Sequence, residues 1–165
     1  VMDQFERSMR RGREHTSAVL VPCSQRKPYT MSPSHRHGYG PAVDGKAVDV
    51  WVVSEPMGVI PYAWAEKYPN TAYDFPPALV RGKARHELFA RIRLWLKEHG
   101  EKYDRIYLAL PAHHLRLVMD AARGLPIDPV DLSISACRAK GACSPRDFRP
   151  TSKSYVQFVR RRLPG

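Results

Sequence analysis

A thiol, an amine and an imidazole lie close together in the segment Pro22-Cys23-Ser24-Gln25-Arg26-Lys27-Pro28-Tyr29-Thr30-Met31-Ser32-Pro33-Ser34-His35. Cys23 follows the apolar run Ser17 to Val21, so its sulfur can reach a pocket at a strand end. Cations nearby favour the thiolate over the thiol and lower the thiol's pKa. Cys23, Lys27 and His35 together can thus support covalent attack on an electrophilic carbon. Each residue also has a plainer reading. A cysteine at a strand end is often a small buried hydrophobe. Lys27 equally suits a phosphate or a carboxylate, and Ser32, Ser34 and His35 can hold a polar ligand or simply turn the chain.

Further along, Glu55 and Asp74 are loop carboxylates, and most of these are solvated or cap helices. His113 and His114 follow Pro111 at a helix start, where helix surface is the commoner fate. Trp51 and Trp95 read as core. The basic excess is large: 27 Lys and Arg against 16 Asp and Glu give a net charge of +11. The arginines cluster, at Arg10, Arg11 and Arg13 and again at Arg160, Arg161 and Arg162. Planar guanidinium forks suit phosphate, so these two arms are the expected nucleic-acid contacts. The three cysteines, Cys23, Cys137 and Cys143, argue against a disulfide framework in a reducing compartment. Cys137 and Cys143 lack the spacing of a zinc knuckle, so no metal and no cofactor is expected.

The elements that must position these groups follow from periodicity. Met2 to about His15 reads as a basic helix or linker, with residues 1–16 forming that arm and 17–165 a single domain. Short apolar runs predict strands at Ser17 to Val21, Val48 to Val53, Arg105 to Leu110 and Val130 to Ile134. Helical spacing predicts helices from Pro61 to about Lys67, Leu79 to His99, Pro111 to Gly124 and Ser152 to Arg162. Residues 24–45 and Cys137 to Arg149 read as loops. Strands that are apolar on both sides and alternate with helices predict a three-layer α/β sandwich around a mostly parallel sheet. Ligands of such folds bind outside the carboxyl ends of the strands. The Pro22 loop, the Glu55 loop and the Pro111 turn all leave from those ends. No apolar run approaches the ~20 residues that cross a bilayer, which predicts a cytoplasmic protein without a membrane partner.

The segment Pro22 to His35 resembles the signature Pro-Cys-x-x-x-Lys-Pro-Tyr-x-x-Ser-x-Ser-His of the archaeosine synthases, with every fixed position met. Ser54 to Pro61, Tyr68-Pro69 and Tyr73-Asp74-Phe75-Pro76 are similar to further stretches of that family. The resemblance covers about residues 17 to 120. Full-length members carry additional domains, among them an RNA-binding module. The chain therefore reads as an excised core or a short stand-alone relative, with separate tRNA-binding domains as partners.

The resemblance implies an amidine-forming transferase on archaeal tRNA. An amine, lysine or another donor, adds to the nitrile of 7-cyano-7-deazaguanine, and a radical-SAM partner enzyme completes the conversion. On this reading Cys23 attacks the nitrile or shapes the pocket, and Lys27 or His35 protonates the developing nitrogen anion. Tyr29 stacks on the base. Asp74 accepts hydrogen bonds from the base edge or the amine, and Glu55 meets a cationic amino acid. Two other functions compete: an accessory tRNA-binding domain without catalysis, and a deazaguanine-processing or glycosylase-like enzyme on DNA. The latter chemistry usually wants an Asp or Asn to activate water, where this loop offers Cys and Lys.

Overall fold

The computed structural model describes residues 14–24, 31–55, 57–64 and 82–165. Five strands form one sheet: β1 Ser17–Pro22, β2 Asp49–Ser54, β3 Gly58–Pro61, β4 Arg105–Leu108 and β5 Val130–Asp131. Their order is β3-β2-β1-β4-β5. β1 pairs in parallel with β2 (Leu20 opposite Trp51) and with β4 (Leu20 opposite Leu108). β4 and β5 are also parallel, whereas β3 runs antiparallel to β2. The expected α/β sandwich with a mostly parallel sheet is the observed fold.

Successive strand residues face opposite sides of a sheet, so an all-apolar strand must be covered twice. β1 is buried along its whole length. Ala18 and Leu20 face a core with Leu88, Ile92, Trp95 and Leu96 of helix α2 (Lys83–Glu98) and Val118 and Ala121 of helix α3 (Ala112–Ala122). Val19 and Val21 face the other core. It holds Tyr39, Ala42 and Val43 from a π-helical turn (His35–Tyr39) and the short helix α1 (Gly40–Val43), with Tyr155, Phe158 and Val159 of helix α5 (Lys153–Arg162). Helix α4 (Ile134–Ala139) adds Cys137 to that side. Full burial of each large apolar side chain contributes roughly 1.5–3 kcal/mol.

Several boundaries differ from the expected ones. Pro61, expected to open a helix, instead ends the edge strand Gly58–Pro61; a proline at a strand end on the sheet's edge breaks no interior ladder bond. A 3-10 turn, Tyr62–Trp64, follows it. α2 starts after Gly82, whose φ of 57° is a left-handed conformation that favours glycine. The fourth expected strand is only two residues long, because Ser133 caps α4 through an Ala136 N–H···Oγ bond of 3.2 Å. Residues 134–139, expected in part as loop, are therefore helical. Glu14 and His15 are not helical; their N–H groups donate to the Asp49 carboxylate at 3.1 Å. Residues 1–13 of that expected arm lie outside the described residues.

Candidate active site

The strand order reverses direction at β1: the chain leaves it toward β2 and later returns on the other side to β4. The crevice at the carboxyl ends of such strands is where open α/β sheets bind ligands. A pocket of about 540 Å³ lies there. Cys23 and Ser24 after β1, Glu55 after β2, Pro111 to His114 after β4 and Ser133 after β5 line it.

Cys23 extends the ladder by one residue, its N–H donating to Val53 O at 3.0 Å. Its side chain is half-buried, lines the pocket and is not disulfide-bonded. The loop then returns as a helical turn. Ser32 Oγ accepts from His35 N–H at 3.3 Å and lies 3.3 Å from Ser34 Oγ, while Ser32 O accepts from Arg36 N–H at 2.8 Å. Ser34 lines the pocket; Ser32 is buried and caps the turn.

His35 is fully buried, and its Nε2–H donates to Pro22 O at 2.7 Å. A carbonyl can only accept, so this bond places a proton on Nε2. The ring packs near Tyr62 (5.9 Å, 18° between planes) and Tyr39 (5.4 Å). His35 thus clamps the chain one residue before Cys23. Gly38, in the same turn, approaches the backbone so closely that a Cβ there would sit 2.6 Å from Pro150 O. Tyr39 also lines the pocket, and burial pushes its phenol well above the ordinary value, so it stays a neutral hydroxyl.

The centre of the pocket is a pairing that sequence spacing did not reveal. His114 Nε2 and Glu55 Oε1 are 2.7 Å apart, with side chains 3% and 4% exposed. β2 and β4 flank β1, so this bond bridges across the end of the strand that carries Cys23. Glu55 Oε2 and His114 Nδ1 are buried without a hydrogen-bond partner among the described residues. Such atoms are costly unless something completes them. His113, largely exposed, brings Nε2 to 3.9 Å from the same Glu55 oxygen. Partial burial holds the His113 pKa below its ordinary value; neighbouring His114 and Arg85 act the same way, and Glu55 opposes them. No metal was expected, yet Glu55, His113 and His114 bring one donor atom each within 4.8 Å of one another, a donor set that suits a zinc-like ion.

Of the other expected site residues, Lys27, Tyr29, Asp74, Arg10, Arg11 and Arg13 lie outside the described residues. Arg160 and Arg162 are engaged within the protein. Arg160 donates to Pro41 O and Asp44 O at 2.7 and 2.8 Å, and Arg162 lies over the Phe158 ring at 3.9 Å. Arg161 is exposed. Cys137 and Cys143 are disulfide-bonded, contrary to expectation. An odd total leaves room for one local bridge; α4 and the turn after it bring these two to a Cα separation of 5.4 Å, within bonding range.

Residues 2–147 match the family described as Domain of unknown function (DUF5591). The chain belongs to this family. Its curated relatives include the archaeosine synthase of Haloferax volcanii, 33% identical over 128 residues, covering 76% of this chain and 21% of that protein. The archaeosine synthase of Methanocaldococcus jannaschii is 33% identical over 107 residues, covering 61% of this chain and 18% of that protein. The archaeosine synthase subunit alpha of Thermoplasma acidophilum is 35% identical over 60 residues, 36% of this chain and 12% of that protein. The matches span about a fifth or less of these relatives. Among solved structures, AF0587, a protein of unknown function, shares the fold with a TM-score of 0.65 and 15% identity, over 98% of this chain and 49% of that one.

Proposed function

We propose that this domain modifies tRNA, adding an amine, lysine in the first instance, to the nitrile of 7-cyano-7-deazaguanine to form an amidine. The observation that carries this reading is the pocket itself. It sets a half-buried cysteine beside a buried Glu–His pair, in a family whose curated relatives are archaeosine synthases.

The reaction is an addition, so no group leaves overall. Nitrile carbon gains a bond to the amine nitrogen, nitrile nitrogen gains a proton, and the amine loses one. In the covalent route the Cys23 thiolate first adds to the nitrile carbon, giving a thioimidate whose nitrogen takes a proton. The amine then adds, and the thiolate is expelled. Glu55 Oε2, buried and unfilled among the described residues, accepts from the incoming amine. Lys27 or the Glu55–His114 pair supplies the proton to nitrogen. His35 holds Cys23 in place through Pro22 rather than touching substrate. Tyr29 and Asp74 meet the base, and Ser32 and Ser34 shape the loop. The basic arms, Arg10, Arg11, Arg13 and Arg161, meet phosphates.

The test is mass spectrometry of nucleosides from nitrile-bearing tRNA incubated with the protein and lysine. The expected product carries the mass of nitrile base plus lysine, and Cys23→Ala abolishes it. Full product from Cys23→Ala removes the covalent route. No lysine adduct, alone or with the rest of a relative supplied as a separate chain, refutes the reading.

A further inference from the structure

Phe148 is the most exposed large apolar side chain among the described residues, at 71%. A lone exposed phenylalanine is ordinary on a protein surface. This one lines the pocket, together with Arg138 and Pro150. The Arg138 guanidinium lies 4.5 Å from the ring centroid and donates to Ser135 Oγ at 3.3 Å, so it is held over the ring.

The surrounding chain is strongly basic. Residues 138–153 contain Arg138, Lys140, Arg146, Arg149 and Lys153 against one acid, Asp147. That acid is used internally, accepting from Arg149 N–H at 3.2 Å and from Ser154 Oγ at 3.4 Å. Lys140, Arg146, Arg149 and Lys153 are all exposed. By contrast, Arg160 and Arg162 are spent on backbone carbonyls and an aromatic ring. The segment is also fixed in shape: the Cys137–Cys143 bridge ties its start to α4, and Gly38 seats Pro150 against the π-helical turn.

We propose that residues 138–153 form the surface that receives single-stranded RNA at the pocket mouth, with one base stacked on Phe148 and the adjoining phosphates met by Arg146, Arg149 and Lys140. Non-specific single-strand binders combine these same two parts, a cationic track and an aromatic face. The inference rests on the tRNA reading for the choice of RNA as ligand. Bases splayed out of a loop stack readily on aromatic rings and guanidinium planes, and a base entering this pocket passes the Phe148–Arg138 edge.

Fluorescence anisotropy with a labelled, unmodified tRNA transcript tests it across a salt series. Phe148→Ala weakens Kd by about five- to a hundredfold, the range for loss of one stacked base. It leaves the salt slope unchanged, and Phe148→Trp restores binding. Arg146→Ala and Arg149→Ala instead flatten the dependence of log Kd on log salt by roughly 0.7 each. Wild-type binding by Phe148→Ala, or no measurable binding by the wild-type protein, overturns the proposal. Amidine formation is scored separately. A wild-type protein that forms amidine while Phe148→Ala binds normally sinks this surface and leaves the function standing. A protein that forms no amidine but loses RNA binding with Phe148→Ala does the reverse.

Discussion

Replacing His114 by alanine removes the sole described hydrogen-bond partner of a carboxylate that is about 95% buried. Glu55 Oε2 already has no described partner, so the variant leaves neither oxygen with a described hydrogen bond, and His113 Nε2 stays 3.9 Å from Oε1. Stranding a buried carboxylate by removing its partner costs about 3–5 kcal/mol. Protein of this length shifts in Tm by about 2–4 °C per kcal/mol. His114→Ala is therefore expected to melt about 6–20 °C below the wild type by circular dichroism at pH 7.5, toward the lower end if water enters the pocket. Glu55→Gln keeps an acceptor for Nε2–H and should lose only about 1 kcal/mol. The decisive comparison is the double variant Glu55→Ala/His114→Ala. Its loss must fall short of the summed single losses by more than about 1 kcal/mol, since no stranded carboxylate remains. A His114→Ala melting point within about 2 °C of wild type, or simple additivity, would refute the view that these side chains form one energetic unit.

Two further outcomes follow from groups away from that pair. His99 lies beside Trp51 (5.6 Å) and Trp95 (6.1 Å), and burial lowers its pKa, with Lys102 adding and Glu98 opposing. A depressed histidine gives stability that is full above its unfolded value near 6.5 and is lost as pH falls through the folded one. Tm should thus be flat from pH 7 to 8 and drop toward pH 5, and His99→Phe should shrink that drop; equal slopes would contradict it. Reducing the Cys137–Cys143 bridge, which closes a loop with a sequence separation of 6, should cost about 2 kcal/mol by the loop-entropy relation. A reductant-dependent fall of about 4–8 °C in Tm, with two thiols newly reactive to alkylation, is the expected readout.

Much of this architecture is legible in the sequence, for physical reasons that differ by element. β1 and β2 announce themselves because both faces must be apolar. Leu88, Ile92, Trp95 and Leu96 mark α2 because a helix against a sheet buries one stripe. β3 escapes because it is four residues long and its Pro61 fits the first turn of a helix as well as the end of an edge strand. α4 escapes because its buried content is a single cysteine within a Ser- and Arg-rich stretch. In the site, Cys23, Glu55 and the turn at Pro111 could be placed on one rim because each follows a strand. The Glu55–His114 bond could not, since it joins residues 59 apart and only strand order brings them together. The clamp by His35 was hidden likewise: a histidine in a serine-rich loop reads as a proton donor until its carbonyl partner is known. Phe148 did carry a signal, an aromatic set among arginines in a stretch with no apolar periodicity.

The seating of Pro150 on Gly38 has a temporal meaning for the cell. Pro22, Cys23, Ser24, Ser34 and Tyr39 line the pocket together with Ser133, Arg138, Phe148 and Pro150, and α5 packs in the same core as Tyr39 of the π-helical turn. Ala47 N–H then closes on Pro164 O at 2.8 Å. A nascent chain on the ribosome can pair β1 with β2 early, yet the pocket also needs residues as far along as Pro150. Contacts of such sequence separation form late and slowly. Cys23 and the Glu55 carboxylate are consequently made long before the enclosure that would hide them. For that interval they stand open to water, oxidants and folding helpers.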